Sequence, residues 1–149
     1  MNKQVVRPPA VAGTFYPSDP RELRQQISEF VARVGEKKSA RKIRGIVSPH
    51  AGYVYSGFTA AHAYAMVKDE QFDTVVIVSP SHREFFQMVA VYSGDAYQTP
   101  LGMIEVNAKL RDALIAKYDF IVASEQGHRE EHALEVQLPF LQSVLPPFT

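Results

Sequence analysis

The sequence predicts an α/β fold, a three-layer α/β/α arrangement around a central, mostly parallel or mixed sheet. Strand-like and helix-like segments alternate along the chain, which favours this class. Two of the strand-like runs, residues 43–48 and 74–79, are short, apolar and β-branched, and both end at a Ser-Pro dipeptide. A histidine follows each dipeptide, His50 after the first and His82 after the second, 32 positions further on. That separation is about the length of one strand–helix–strand unit, so both rings are expected at the carboxyl edge of one sheet.

Length, charge balance and cysteine content limit the class of protein to which this chain can belong. The 149 residues are enough for one core, and we expect a single α/β domain over residues 1–149. The 16 basic and 16 acidic residues cancel, so no basic excess points to nucleic acid. The absence of cysteine excludes disulfides and thiolate ligands within this chain and fits a reducing cytoplasm, where we expect the protein to act. No run approaches the roughly 18 apolar residues of a membrane span, so no membrane role is expected.

The first half of the chain begins with an arm and a helix. Residues 5–17 are rich in proline and glycine but carry apolar groups to bury, which predicts an ordered extended arm. Asp19 is a suitable cap and Pro20 a suitable first residue for a helix that Gly35 ends. After the strand at 43–48, a second helix is predicted over about 57–67, with Ser56 as its cap.

The second half alternates shorter elements. Strands are predicted at 74–79, 89–92 and 120–123, with a turn at 99–102. Asn107 is predicted to cap a helix that continues through about residue 117. A last helix is predicted over residues 129–145 from a stripe of four leucines, and Pro139 inside it should kink or divide it.

Histidines carry the candidate chemistry. His50 and His82 are predicted to bind a metal ion, because neutral imidazoles that meet at one sheet edge can form part of a metal site. Tyr53 and Tyr55 follow His50 closely, and they either line a substrate pocket or belong to the core.

A third histidine cluster allows several interpretations. His128 and His132 are four residues apart and match the His-x-x-Glu-His pattern of inverted zinc peptidases. The alternative is acid–base work by His132, since imidazole titrates near neutrality. The third interpretation is a surface histidine paired with Glu131 or Glu135.

Several long motifs, in this order, resemble the Memo family, whose prokaryotic members are called AmmeMemoRadiSam system protein B. They are Val-Arg-Pro-Pro-Ala-Val-Ala-Gly-Thr-Phe-Tyr-Pro at 6–17, Pro-His-Ala-Gly-Tyr-Val-Tyr-Ser-Gly at 49–57, Ser-Pro-Ser-His at 79–82, Thr-Pro-Leu-Gly at 99–102 and Glu-His-Ala-Leu-Glu-Val-Gln-Leu-Pro-Phe-Leu at 131–141. The resemblance covers essentially the whole chain.

The resemblance implies a fold like that of the class III extradiol dioxygenases. It implies that His50 and His82 bind iron or copper, with zinc as a further option, and that His132 is the acid–base residue. Family members are longer, and their third metal ligand, often a cysteine, lies in the C-terminal half. We therefore expect this chain to be the N-terminal portion of such a domain, with an exposed apolar face that promotes self-association.

Three functional hypotheses follow. The first is a Memo-like non-haem metal protein with redox or dioxygenase-like chemistry, in which His132, with His128, handles protons; whether it is an enzyme is left open. The second is a non-enzymatic module whose pocket, with Tyr53 and Tyr55, binds a peptide or small molecule. The third is a zinc peptidase that uses His128 and His132.

Overall fold

The computed structural model of the protein describes residues 4–37 and 39–149 and has an α/β fold, as predicted. Helices and short strands alternate along the chain. In chain order the elements are β1 Val6–Arg7, α1 Pro20–Val34, α2 Tyr53–Ala65, β2 Val89–Tyr92, β3 Ala96–Thr99, β4 Gly102–Glu105, α3 Ala108–Lys117, β5 Ile121–Ser124, a single 3₁₀ turn Glu135–Gln137, and α4 Leu138–Val144.

The two helices with clear end signals lie where they were predicted. In α1 the Asp19 carboxylate accepts hydrogen bonds from the backbone N–H groups of Arg21 and Glu22, both at 2.9 Å. Gly35 ends this helix at a φ of 74°, which favours glycine. In α3 the side chain of Asn107 accepts from the backbone N–H of Leu110, and this bond caps the helix.

Helix α2 begins earlier than predicted. Its first residue is Tyr53, because the Tyr53 backbone N–H donates to the carbonyl of Phe15 at 2.7 Å and Gly52 takes the capping position. Ser56 is therefore inside the helix, where its hydroxyl donates to the carbonyl of Ala51. The extended arm fixes the start of this helix, which no local signal in residues 53–57 indicates.

The strands form two small sheets. Strands β2 and β5 pair in parallel from Val89 opposite Ile121 to Tyr92 opposite Ser124, which confirms the strands predicted near those positions. The second sheet has the order β1-β3-β4, with β1 parallel to β3 and β3 antiparallel to β4. The predicted turn at 99–102 joins β3 to β4, but neither strand of this hairpin was predicted.

The predicted strands at 43–48 and 74–79 are not strands in the structure. Both segments lack regular secondary structure, and neither is part of a paired ladder within the described residues. Side chains such as Ile46 and Ile77 pack against the core from one face. Open clefts lie beside these segments where partner strands were expected, so the β-branched pattern alone does not produce a ladder.

The predicted helix at 129–145 was too long. Residues 129–134 are bends, turns and irregular chain, the 3₁₀ turn follows, and α4 begins at Leu138 with Pro139 in its first turn. Proline lacks a backbone N–H and is tolerated only near a helix start, so it divides this segment, as predicted.

The main core lies between α1, α2 and α4. The Phe140 ring is almost completely buried between two tyrosines, with its centroid 4.8 Å from that of Tyr64 and 4.9 Å from that of Tyr53. Leu23 and Ile27 close the core from α1. Within the described part of the chain, every helix is too short or too polar to cross a bilayer.

Candidate metal centre

Three imidazole rings lie together, and two of them belong to the histidines that follow segments 43–48 and 74–79. The ring centroid of His82 lies 5.2 Å from that of His50 and 4.6 Å from that of His132. The rings of His50 and His132 are 6.1 Å apart. The structure therefore brings together the two predicted metal ligands and the predicted acid–base residue.

The Glu131 carboxylate holds His82 in place. One carboxylate oxygen lies 2.9 Å from Nδ1 of His82, and the other accepts a short hydrogen bond from the His82 backbone N–H. Glu131 is only 2% exposed, so water competes little for these bonds. Because the carboxylate accepts at Nδ1, the ring carries its proton there and leaves Nε2 free as a lone-pair donor.

The donor atoms suit a transition metal. One ligand atom each from His82, Glu131 and His132 lie within 4.8 Å of one another. His50 lies outside that tighter group, although its ring neighbours both histidines. Imidazole nitrogens suit iron, copper and zinc, so the histidines present fit a metal of the type that the family resemblance implies.

Hydrogen bonds keep Glu131 ionised. Burial alone would raise the pKa of this carboxyl, but the N–H groups of His82 and Ala133 and the His82 ring outweigh it and lower the pKa to about 2. The Ala133 bond measures 2.9 Å. Glu131 is therefore an anion that can orient neighbouring imidazoles at every physiological pH.

His132 is partly shielded from water. Burial lowers its pKa, and the nearby rings of His82 and His50 act in the same direction against the opposing effect of Glu131. The Phe15 ring covers it, with a centroid separation of 4.7 Å. Its Nδ1 lies 3.3 Å from a Glu131 oxygen, so the predicted pairing with Glu131 occurs, whereas Glu135 bonds elsewhere.

Arg7 fixes the segment that carries Glu131. The arginine is 4% exposed, and its Nε donates to the carbonyl of His128 at 2.7 Å. One terminal nitrogen donates to the carbonyl of Glu131, also at 2.7 Å, and the other forms a short ion pair with Glu135. A bidentate guanidinium suits this role because its donors are held in a rigid fork.

Glu135 ties the same segment to the N-terminal arm. Its carboxylate is fully buried and accepts from the backbone N–H groups of Ala10 and Val11 at 2.9 and 3.0 Å. It also accepts from the hydroxyl of Tyr16 at 2.6 Å. The arm and the 128–135 segment thus form one connected buried network.

The loop that carries His50 has its own anchor. The Gln137 side chain donates to the carbonyl of Pro49 at 3.1 Å and accepts from the Tyr64 hydroxyl at 2.6 Å. Beyond His50, the backbone of Gly52 passes close to Phe15, where an added Cβ would lie 3.4 Å from the Phe15 carbonyl oxygen. The loop is therefore held from both sides of the histidine.

His128 does not join His132 as a second ligand. The 128–132 segment is not helical, so the two histidines do not share a helix face. His128 lies under β2 and β3, with Nδ1 2.5 Å from the Tyr97 hydroxyl and Nε2 3.2 Å from the carbonyl of Ala90. Both ring nitrogens are engaged, which leaves neither for zinc or for proton transfer beside His132.

The two tyrosines near His50 lie away from the imidazole cluster. Tyr53 is a core residue, 3% exposed, and its hydroxyl donates to the carbonyl of Val136 at 2.8 Å. Tyr55 projects from α2 and is 87% exposed. For Tyr53 the core interpretation holds, and the structure shows no contact of either side chain with the three imidazoles.

Sequence reasoning missed Arg7 and the orienting role of Glu131. Both stand inside motifs that carried the family resemblance, the arginine before Pro-Pro and the glutamate before His132. A buried charge is unusual and must be paired, but the partners of Arg7 and Glu131 are distant in sequence, so the burial of these two residues cannot be inferred from their neighbours along the chain.

Comparison with known proteins bears on this centre. A model of the family described as Memo-like protein matches residues 7–149. The chain belongs to the Memo family. A MEMO1 family protein of Aquifex aeolicus (strain VF5) is 44% identical over 137 residues, which cover 92% of this chain and 49% of that protein.

Two archaeal Memo relatives match over the same part. A MEMO1 family protein of Methanosarcina barkeri is 45% identical over 137 residues, covering 92% of this chain and 49% of the relative. That of Methanothermobacter thermautotrophicus is 40% identical over 145 residues, covering 93% and 52%. The chain thus spans about half the length of the curated Memo relatives it matches.

Proposed function

We propose that this Memo-family chain provides the histidine part of a non-haem metal centre with redox or dioxygenase-like chemistry. In this proposal His50 and His82 bind the ion and His132 is the acid–base residue beside it. The observation that carries the proposal is the meeting of three imidazoles with ring centroids 4.6 to 6.1 Å apart, one of them oriented by a buried carboxylate.

The role of Glu131 in this proposal is orientation. It fixes the proton of His82 on Nδ1 and presents Nε2 as the ligand atom, the arrangement in which a carboxylate supports a metal-bound histidine. The donor set is compatible with iron or copper and also with zinc. Such an ion, when bound, supplies Lewis-acid or redox chemistry at coordination positions that the protein leaves open.

His132 holds or moves the proton in this proposal. Its lowered pKa keeps the ring neutral near pH 7, so it can accept a proton from a bound substrate. The Phe15 ring excludes water from one face of the imidazole. The nearby Glu131 carboxylate then stabilises the imidazolium that forms.

The decisive experiment is elemental analysis of protein purified without oxygen. We expect iron or copper at close to one ion per chain, and we expect a His50→Ala/His82→Ala double variant to lose it. His62→Ala is the matched control, because His62 is an exposed histidine of α2 that contacts Phe58 and lies outside the cluster.

The metal content of these variants distinguishes a metal ligand from an acid–base residue. Retention of metal by the double variant would refute the ligand assignment. Loss of metal from a His132→Ala variant to the same extent would make His132 a ligand and refute its assignment as the acid–base residue. Retention of metal by His132→Ala, with loss of substrate conversion, would support that assignment.

A further inference from the structure

Tyr97 and His128 form a buried phenol–imidazole pair that the proposed metal centre does not use. Tyr97 lies in β3 and is 7% exposed, and His128 follows β5 and is 9% exposed. The Tyr97 hydroxyl oxygen lies 2.5 Å from Nδ1 of His128. Imidazole is a base near neutral pH, so this contact can transfer a proton as well as hold two elements together.

The backbone determines which atom of the pair carries the proton. Nε2 of His128 lies 3.2 Å from the carbonyl oxygen of Ala90, and a carbonyl oxygen only accepts, so Nε2 carries a hydrogen. Burial lowers the pKa of His128, which keeps the ring neutral near pH 7. A neutral ring with its hydrogen on Nε2 has a lone pair on Nδ1. The Tyr97 hydroxyl therefore donates its hydrogen bond to a free base.

Three other buried tyrosines donate to acceptors that are not free bases. Tyr53 donates to a backbone carbonyl and Tyr64 to a side-chain amide oxygen, and neither oxygen takes up a proton near neutral pH. Tyr16 donates to the Glu135 carboxylate, but that carboxylate is already paired with Arg7 and accepts two backbone N–H groups. Tyr97 thus differs from these tyrosines in the chemistry of its acceptor.

Tyrosine is the side chain of this protein that loses one electron most easily, because the sequence contains neither tryptophan nor cysteine. Loss of an electron turns a phenol into a strong acid, so the phenolic proton leaves together with the electron. Burial raises the pKa of the Tyr97 hydroxyl, which prevents loss of that proton to water beforehand. The lone pair on Nδ1 of His128 is the acceptor within reach.

We propose that Tyr97 and His128 form a redox-active tyrosine site. A one-electron oxidant takes an electron from the Tyr97 phenol, the phenolic O–H bond breaks, and an N–H bond forms at Nδ1 of His128. The products are a neutral tyrosyl radical, an imidazolium and the oxidant reduced by one electron. The oxidant is a small inorganic radical that accepts one electron, the class to which the carbonate and azide radicals belong. The site takes up single oxidising equivalents without any metal ion.

The charges around the pair accommodate the imidazolium. The Arg7 guanidinium carbon lies 5.3 Å from the Tyr97 ring centroid, and its charge opposes a proton on His128. The buried ion pair with Glu135 offsets that charge. The Glu84 carboxylate favours the protonated ring of His128. The positive charge that His128 gains therefore has an anion acting in its favour.

Pulse radiolysis with the azide radical tests the proposal on the metal-free 149-residue protein. Tyr55 and Tyr118 are exposed, so both are replaced by phenylalanine in every sample to suppress oxidation at the surface. We expect the EPR signal of a tyrosyl radical, which Tyr97→Phe should abolish and Tyr64→Phe should leave intact. Tyr64→Phe is the matched control, because Tyr64 is also buried but bonds to the amide oxygen of Gln137.

His128→Asn separates the base from the hydrogen bond. Asparagine places an amide oxygen near the position of Nδ1, so the Tyr97 hydroxyl keeps an acceptor but loses its base. We expect the oxidation of Tyr97 to slow by about 100-fold, the lower end of what a positioned base contributes. An unchanged rate of oxidation in folded His128→Asn would overturn the proposal.

A spectrum that needs no substitution in the pair provides a second test. With ¹⁵N-labelled histidine, electron–nuclear double resonance should show the radical coupled to a histidine nitrogen. Among the tyrosines that the structure describes, only Tyr97 has its hydroxyl bonded to an imidazole. Absence of a tyrosyl radical, a radical without this coupling, or a signal that survives Tyr97→Phe would each overturn the proposal. None of these readouts depends on metal binding, so the proposed function is tested separately.

Discussion

Replacing Glu131 by glutamine should weaken both the fold and metal binding at the candidate centre. The carboxylate accepts from the His82 ring and the Ala133 N–H at one oxygen and from the His82 backbone N–H at the other. Glutamine has almost the same shape but only one accepting oxygen. With that oxygen facing the His82 ring, its NH₂ group faces the His82 backbone N–H, and donor meets donor.

The magnitude follows from those bonds. Hydrogen bonds to a charged group contribute about 1.5–3 kcal/mol each, and a buried unpaired N–H costs about 1–3 kcal/mol. In Glu131→Gln the bond from the His82 backbone N–H is lost, and the bonds from the His82 ring and the Ala133 N–H no longer have a charged acceptor. Together these changes should lower the free energy of unfolding by about 2–4 kcal/mol. Loss of a carboxylate that orients a metal-binding histidine typically costs about 10–100-fold in metal affinity, and we expect that range for Fe²⁺.

The pH dependence has a definite sign. The pKa of Glu131 falls from its ordinary 4.5 to about 2 in the folded protein. A lowered pKa stabilises the fold above about pH 4.5, and this contribution is lost as the pH falls towards 2. The difference in unfolding free energy between wild type and Glu131→Gln should therefore narrow over that interval.

Urea unfolding and anaerobic Fe²⁺ titration are the assays. Glu130→Gln is the matched control, because it removes the same charge from an exposed neighbouring position. In the metal-free protein, NMR of the His82 ring nitrogens should show one tautomer, protonated at Nδ1, in wild type and a mixture in Glu131→Gln. The reasoning is refuted if Glu131→Gln matches Glu130→Gln in stability and in Fe²⁺ affinity.

Three further predictions concern residues outside the imidazole cluster. Burial lowers the pKa of His128 below 6.5, so protonation of this ring opposes folding. The free energy of unfolding of the wild type should therefore fall as the pH drops below about 6.5, and that of His128→Gln should fall less. Urea unfolding from about pH 8 to 5 measures both. Equal pH dependence of the unfolding free energy in wild type and His128→Gln would contradict this prediction. Tyr53→Phe loses the hydrogen bond to the Val136 carbonyl and should destabilise the protein by about 1–2 kcal/mol in thermal unfolding. The affinity for Fe²⁺ should be unchanged, and a change in that affinity would show that Tyr53 contributes to the candidate centre. Tyr55→Ala should alter unfolding free energy by no more than about 0.5 kcal/mol and leave Fe²⁺ binding intact, and weaker binding would show that Tyr55 contacts the centre.

Local signals explain what could be predicted. The capped ends of α1 and α3 were predictable because Asp19 and Asn107 act on residues two or three positions away. The nearness of His50 and His82 was predictable because each follows a similar strand-like run. In both cases the residues that determine the outcome are close in sequence or repeat one pattern.

Long-range partners explain what could not be predicted. Arg7 meets Glu135 across 128 positions, and Glu131 meets His82 across 49, so no local window contains either pair. The runs at 43–48 and 74–79 have strand composition, but a strand also needs a neighbour, and composition does not say whether one is present.

The contact between Arg7 and Glu135 also limits when the centre can form in the cell. The two residues are 128 positions apart, and a ribosome adds about 5–20 residues per second. The arginine therefore waits roughly 6–25 seconds after its own synthesis before its partner exists. During that interval Arg7 lacks its ion-pair partner Glu135. The histidines at 50, 82 and 132 are synthesised before the segment that carries Glu131 is fixed by Arg7 and Glu135. Under the proposed function, the centre is therefore ready for a metal ion only after residue 135 has been synthesised.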